Sequence, residues 1–104
     1  MYRYRNSRAN GSVFDENTIN AVWQKGTIVF GYDSNTIRKD SCGAFIKRND
    51  YGNTNSSFGW EIDHIKPVAK NGTDDLINLQ PLQWENNRHK SDNYPQWSCA
   101  IKAA

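Results

Sequence analysis

The chain lacks most of the features that place a protein quickly. No run of eighteen apolar residues occurs anywhere in its 104 residues, which excludes a membrane-spanning helix. No apolar stretch stands behind the basic opening MYRYRNSRANGS, so no secretory signal is read there, and a soluble, cytoplasmic protein or a domain of something longer is the expectation. Cysteine is scarce: Cys42 and Cys99 are alone, far apart, and in no CxxC pair. A structural zinc is therefore not expected, because such sites bring their ligands in close pairs, and the set Cys42, His64, His89 and Cys99 has none. Without an export signal, two separate thiols are expected in preference to one disulfide. No repeat and no low-complexity stretch divides the chain, which is long enough for one domain with a modest core.

Charge of one sign is also missing locally. Residues 1–12 carry Arg3, Arg5 and Arg8 and no acid, the pattern of a flexible basic arm of the kind that touches nucleic acid. Residues 60–92 are different, since Glu61, Asp63, Asp74, Asp75, Glu85 and Asp92 outweigh Lys66, Lys70, Arg88 and Lys90. A phosphate bound in that segment needs the help of a cation.

What is present gives an order of elements. VFDENTINAVWQKG reads as a short helix capped by Asp15, with Ile19, Val22 and Trp23 on one face, Phe14 and Ile19 as a hydrophobic staple, and Gly26 as the stop. TIVFGYDSN and CGAFIKRNDYG read as brief strands running into turns. GWEIDHI is a strand ended by Pro67, AKNGTDD a turn with Thr73 or Asp74 able to cap a helical turn leading to Asn78, and NLQPL a second strand. QWENNRHKSD then has helical composition up to Asn93 and Pro95. The divisions that follow are a basic arm over 1–12, a supporting helix and strands over 13–58, a strand-loop-strand-helix unit over 59–92 and a tail over 93–104.

In that unit Asp63, His64, Asn78 and Asn87 stand out. An acid beside a histidine is an odd end to an apolar strand, because neighbouring side chains point to opposite faces. On the last helix Trp84, Asn87, Arg88 and Ser91 share a face by their spacing, so a Trp84 anchored on the hairpin turns Asn87 towards the strand end. A carboxylate and an amide oxygen are hard ligands that suit Mg²⁺ or Mn²⁺ and leave an ion open to water and a phosphate oxygen. An imidazole next to them can take a proton from the attacking water. Lys66, Arg88 and Lys90 are the candidate phosphate contacts, with His89 beside them.

Taken together, EIDHIKP, NLQPL and NNRHKSD resemble the HNH endonuclease motif of the ββα-metal nucleases, in the variety whose final histidine is replaced by asparagine. The resemblance covers residues 59–92, and the residues before it resemble the leader of small stand-alone HNH proteins of bacteria. It implies an α+β domain in which an N-terminal helix and short strands brace a C-terminal ββα-metal finger. It further implies a metal-dependent endonuclease acting on DNA, with double strands favoured. His64 is then the general base, Asn78 holds the loop and helps orient that base, and Asp63 and Asn87 bind one divalent ion, Mg²⁺ or Mn²⁺. A non-cleaving DNA-binding finger is the rival from another class. A delivered toxin nuclease, with a paired immunity protein as partner, would share the chemistry.

Overall fold

Asp15 starts the first helix: its carboxylate accepts the Thr18 amide at 2.8 Å and so satisfies one of the free N–H groups of helix α1, Glu16–Trp23. The computed structural model describes residues 5–102. Ile19, Val22 and Trp23, three and four residues apart, form the buried stripe of α1, as their spacing requires. The next three strands are β1 (Thr27–Ile28), β2 (Ile37–Lys39) and β3 (Phe45–Lys47), an antiparallel sheet in the order β1-β2-β3. They are shorter than the apolar runs suggest, because turns begin early; Asp33 accepts the Asn35 amide at 2.9 Å and bends the chain into β2. Arg38 ties this sheet to the end of α1, donating to the Gln24 and Gly26 carbonyls at 3.0 Å each.

The second half holds a ribbon of β4 (Trp60–His64) and β5 (Leu79–Gln83), antiparallel and in register from Trp60↔Gln83 to His64↔Leu79. Pro81 lies inside β5 opposite Ile62; each strand of a two-stranded ribbon has an unpaired edge, where a missing N–H costs little. Helix α2, Trp84–Lys90, follows at once, capped by the Gln83 side chain, which accepts the amides of Glu85 and Asn86 at 2.8 and 3.1 Å. The alternation of β4 now has a clear meaning. Trp60 and Ile62 join the core with Phe14, Ile19, Val22, Trp23, Ile46 and Leu79, with the Trp23 and Trp60 ring centroids 5.3 Å apart. Glu61 and Asp63, on the other face, meet α2 through Asn87 and Lys90. The fold is α+β, with a helix and short strands bracing a C-terminal ββα unit.

Two expectations need correction. Cys42 and Cys99 are not separate thiols: they form a disulfide, with their Cα atoms 5.9 Å apart. The tail returns along α2 because Asn86 accepts the Ile101 amide at 2.6 Å and donates to the Ile101 carbonyl at 2.8 Å. Asn86 also donates to Asp40 at 3.0 Å, and Asp40 organises the turn that carries Cys42 by accepting the Cys42 and Ala44 amides. The basic arm is the second case. Over residues 5–12 it lies against the ribbon, because Asn6 Oδ1 accepts the Ile62 amide at 2.7 Å and the Tyr51 hydroxyl at 2.9 Å. Arg8 sits over the Phe14 ring and reaches Asp15 at 3.3 Å, while Arg3 falls outside the described residues. Among the described residues no helix is long and apolar enough to cross a membrane.

Candidate active site

Neighbouring positions on a strand face opposite ways, and the last two of β4 use both faces. Asp63 turns to α2, where its Oδ1 lies 3.3 Å from Lys90 Nζ and its Oδ2 accepts Gln80 Nε2 at 2.9 Å. Burial pushes the Asp63 carboxyl above its ordinary range, although Gln80, Lys90 and His64 pull the other way. Lys90 is fully buried and its ammonium also donates to the His64 carbonyl at 3.1 Å. One turn earlier Asn87 gives its Nδ2 to Glu61 Oε1 at 2.9 Å, and Arg88 reaches the other oxygen of Glu61 at 3.6 Å. With its nitrogen anchored, Asn87 has no partner for its side-chain carbonyl oxygen among the described residues, which leaves that oxygen for another group.

His64 turns to the opposite side. Its Nε2 lies 2.8 Å from Asp74 Oδ1, and its ring stands 6.1 Å from that of Phe14. Asp74 comes from the loop between β4 and β5, and Asn78 closes that loop at the neck. The Asn78 carbonyl accepts the Ile65 amide, its Oδ1 accepts the Lys66 amide, and its Nδ2 donates to the carbonyls of Lys66 and Thr73, all within 2.8 to 3.1 Å. Gly72 is required there: a Cβ on it would lie 1.6 Å from the Lys66 carbonyl oxygen. Asp74 is fixed from its far side by the Ala9 amide, 3.0 and 3.2 Å from its two oxygens. Partial burial alone would raise the Asp74 carboxyl. The His64 hydrogen bond, the Ala9 amide and the charges of His64 and Arg8 outweigh it and hold the group below its ordinary range.

These groups surround a cavity of about 440 Å³ lined by Asp63, His64 and Asn87 from the ββα unit and by Arg5, Asn6 and Ala9 from the N-terminal segment. Three of the four singled-out residues therefore share one space, while Asn78 stands behind it at the neck of the loop. Lys66 and Arg88 are exposed. His89 is exposed too, with its Nε2 3.1 Å from Ser98 Oγ. Lys90 is a correction: it is the C-terminal end of α2 that turns inward, so its ammonium meets Asp63 and has no access to a phosphate. Glu61, Gln80 and Asp74 escaped the sequence reading. Glu61 had a signal, being two residues before Asp63 and so on the same strand face. Gln80 had a weaker one, and Asp74 had only its capacity to cap a turn.

A family model described as HNH endonuclease matches residues 41–93, just over half of the chain, from the turn before β3 to just past α2. No curated protein and no solved structure matches the chain.

Proposed function

The chain belongs to the HNH endonuclease family, and from that premise we propose that it hydrolyses DNA phosphodiester bonds with His64 as general base and one divalent ion at Asp63 and Asn87. The observation that carries the reading is the single cavity that Asp63, His64 and Asn87 line from two different elements. What supports the ion is the chemistry of the donors: Asp63 and the carbonyl oxygen of Asn87 are hard oxygens, although Asp63 shares its two oxygens with Lys90 and Gln80 and, among the described residues, no group of three or more His, Cys, Asp or Glu is gathered to hold a metal. Mg²⁺ suits such an open pair because it keeps several waters, and Mn²⁺ is the alternative. When bound, the ion neutralises charge on the scissile phosphate and on the departing oxygen.

The chain's own residues do the rest. His64 takes a proton from a water as that oxygen bonds to phosphorus and the bond from phosphorus to the 3′ oxygen breaks; the departing oxygen is then protonated from solvent. Asn78 keeps the loop beside His64 closed, so that the imidazole does not wander from the water. Arg88 and Lys66, both exposed, and Arg5 at the cavity wall position the duplex by its phosphates without reading its bases. A delivered nuclease would share this chemistry, and the Cys42–Cys99 disulfide favours it, because such bonds persist in oxidising compartments.

The test is cleavage of supercoiled plasmid with Mg²⁺, Mn²⁺ or EDTA, alongside calorimetry of Mn²⁺ binding. His64→Ala should abolish cleavage and leave metal binding nearly intact, whereas Asp63→Ala should weaken both. Cleavage that survives EDTA, or equal loss of metal affinity in the two variants, would overturn this assignment of roles.

A further inference from the structure

An imidazole has two nitrogens, and a general base needs one of them held and the other free. In this protein Nε2 of His64 is engaged at 2.8 Å with Asp74, while Nδ1 has no hydrogen-bond partner among the described residues. The His64 side chain is only 4% exposed, so the ring has little room to find another arrangement. Asp74 is itself held: the Ala9 amide lies within hydrogen-bond distance of both its oxygens. Ala9 belongs to a segment that Asn6 fastens to the Ile62 amide and the Tyr51 hydroxyl. The family match begins at residue 41, so it includes Asp74 and leaves out the segment that holds Asp74 in place.

We propose that Asp74, locked by the N-terminal segment through the Ala9 amide, is a positioning residue that keeps the His64 ring with its Nε2–H donated to the carboxylate and its Nδ1 turned free to accept the proton of the attacking water. The proposal rests on the nuclease reading for the use made of that proton. The ring geometry stands apart from it. Asp74 is not among the residues that line the cavity, and its part in the proposal is to act through His64.

The chain has only two histidines, so its imidazole resonances are few and easily assigned by substitution of His89. In the full-length protein, the wild type should show a ring N–H proton correlated with Nε2 of His64, shifted downfield and slow to exchange with solvent. Asp74→Ala should lose that signal, and Asp74→Asn, which keeps an acceptor oxygen, should retain part of it. Plasmid cleavage should follow in the same order. For Asp74→Ala, kcat should drop at least about tenfold, within the roughly 10²–10⁴-fold that a general base contributes, with KM little changed and Asp74→Asn in between. Circular dichroism on both variants separates a lost ring contact from a lost fold. A His64 ring N–H that is unchanged in Asp74→Ala, or an Asp74→Ala variant with wild-type kcat, would overturn the proposal. A wild type that cleaves no DNA would sink the nuclease reading alone, and the ring proton would still decide the Asp74–His64 pair.

Discussion

Lys90→Met tests how the motif is held together. The change keeps an unbranched stem out to Cε, with sulfur in place of Cδ, and removes the ammonium, which is fully buried 3.3 Å from Asp63 Oδ1 and 3.1 Å from the His64 carbonyl. At an effective dielectric constant of about 20, a pair of unit charges at that separation attracts by roughly 5 kcal/mol before the desolvation of either ion is counted. The pair taken as a whole is therefore close to neutral for stability. Removing one partner is another matter, because Asp63 is left buried with Gln80 as its one side-chain donor among the described residues, and the His64 carbonyl loses the Lys90 ammonium. Breaking a buried pair in this way costs about 3–5 kcal/mol. The lower end applies here, since Asp63 keeps one hydrogen bond. For a domain with about 5–15 kcal/mol in all, 3 kcal/mol is a large share. With a urea slope of about 1–3 kcal/mol per molar, the midpoint should fall by roughly 1–3 M. The double variant Lys90→Met/Asp63→Asn removes the stranded charge and should regain most of the loss. The reasoning fails if Lys90→Met unfolds at the wild-type urea concentration, or if the double variant is no more stable than Lys90→Met.

Other outcomes follow from the same contacts. Reduction of Cys42–Cys99, or its replacement by two serines, opens a loop with a sequence separation of 57. In the chain-entropy account that is worth about 4 kcal/mol, so urea unfolding with and without reductant should differ by at least half of it. Gly72→Ala must push the loop off the Lys66 carbonyl; it should lower stability at the upper end of about 1–3 kcal/mol and reduce cleavage further than stability alone explains. Burial raises the Tyr51 hydroxyl to about 12. A neutral buried phenol contributes stability in full below about pH 10, and that stability is lost as pH rises towards the folded value. An alkaline absorbance titration should show one late step, absent in Tyr51→Phe; a single transition near pH 10 in both proteins would contradict it.

Much of this protein is decided along the chain itself. Asp15 caps a helix whose apolar residues recur at three and four, so α1 forms from local contacts alone. GWEIDHI, NLQPL and QWENNRHKSD read along the chain as strand, strand and helix, which sets the order of the elements that carry Asp63, His64 and Asn87. Those are short-range facts: they depend on hydrogen bonds and side-chain direction within a few residues. The tertiary structure decided what no local pattern encodes. Lys90 has the composition of a solvated helix end, and only the angle at which α2 meets β4 turns its ammonium onto Asp63. Cys42 and Cys99 are joined because Asn86 draws residue 101 back along the helix, a contact across fifteen positions. The N-terminal segment reads as a basic tail, yet Asn6 supplies an acceptor to a strand amide 56 positions away and Ala9 an amide to Asp74 65 positions away. Each of these groups gains a partner only when distant parts of the chain have already closed together. A buried amide or charge must be satisfied, and the residue that satisfies it is chosen by the packing of whole elements, which the order of residues near it does not record.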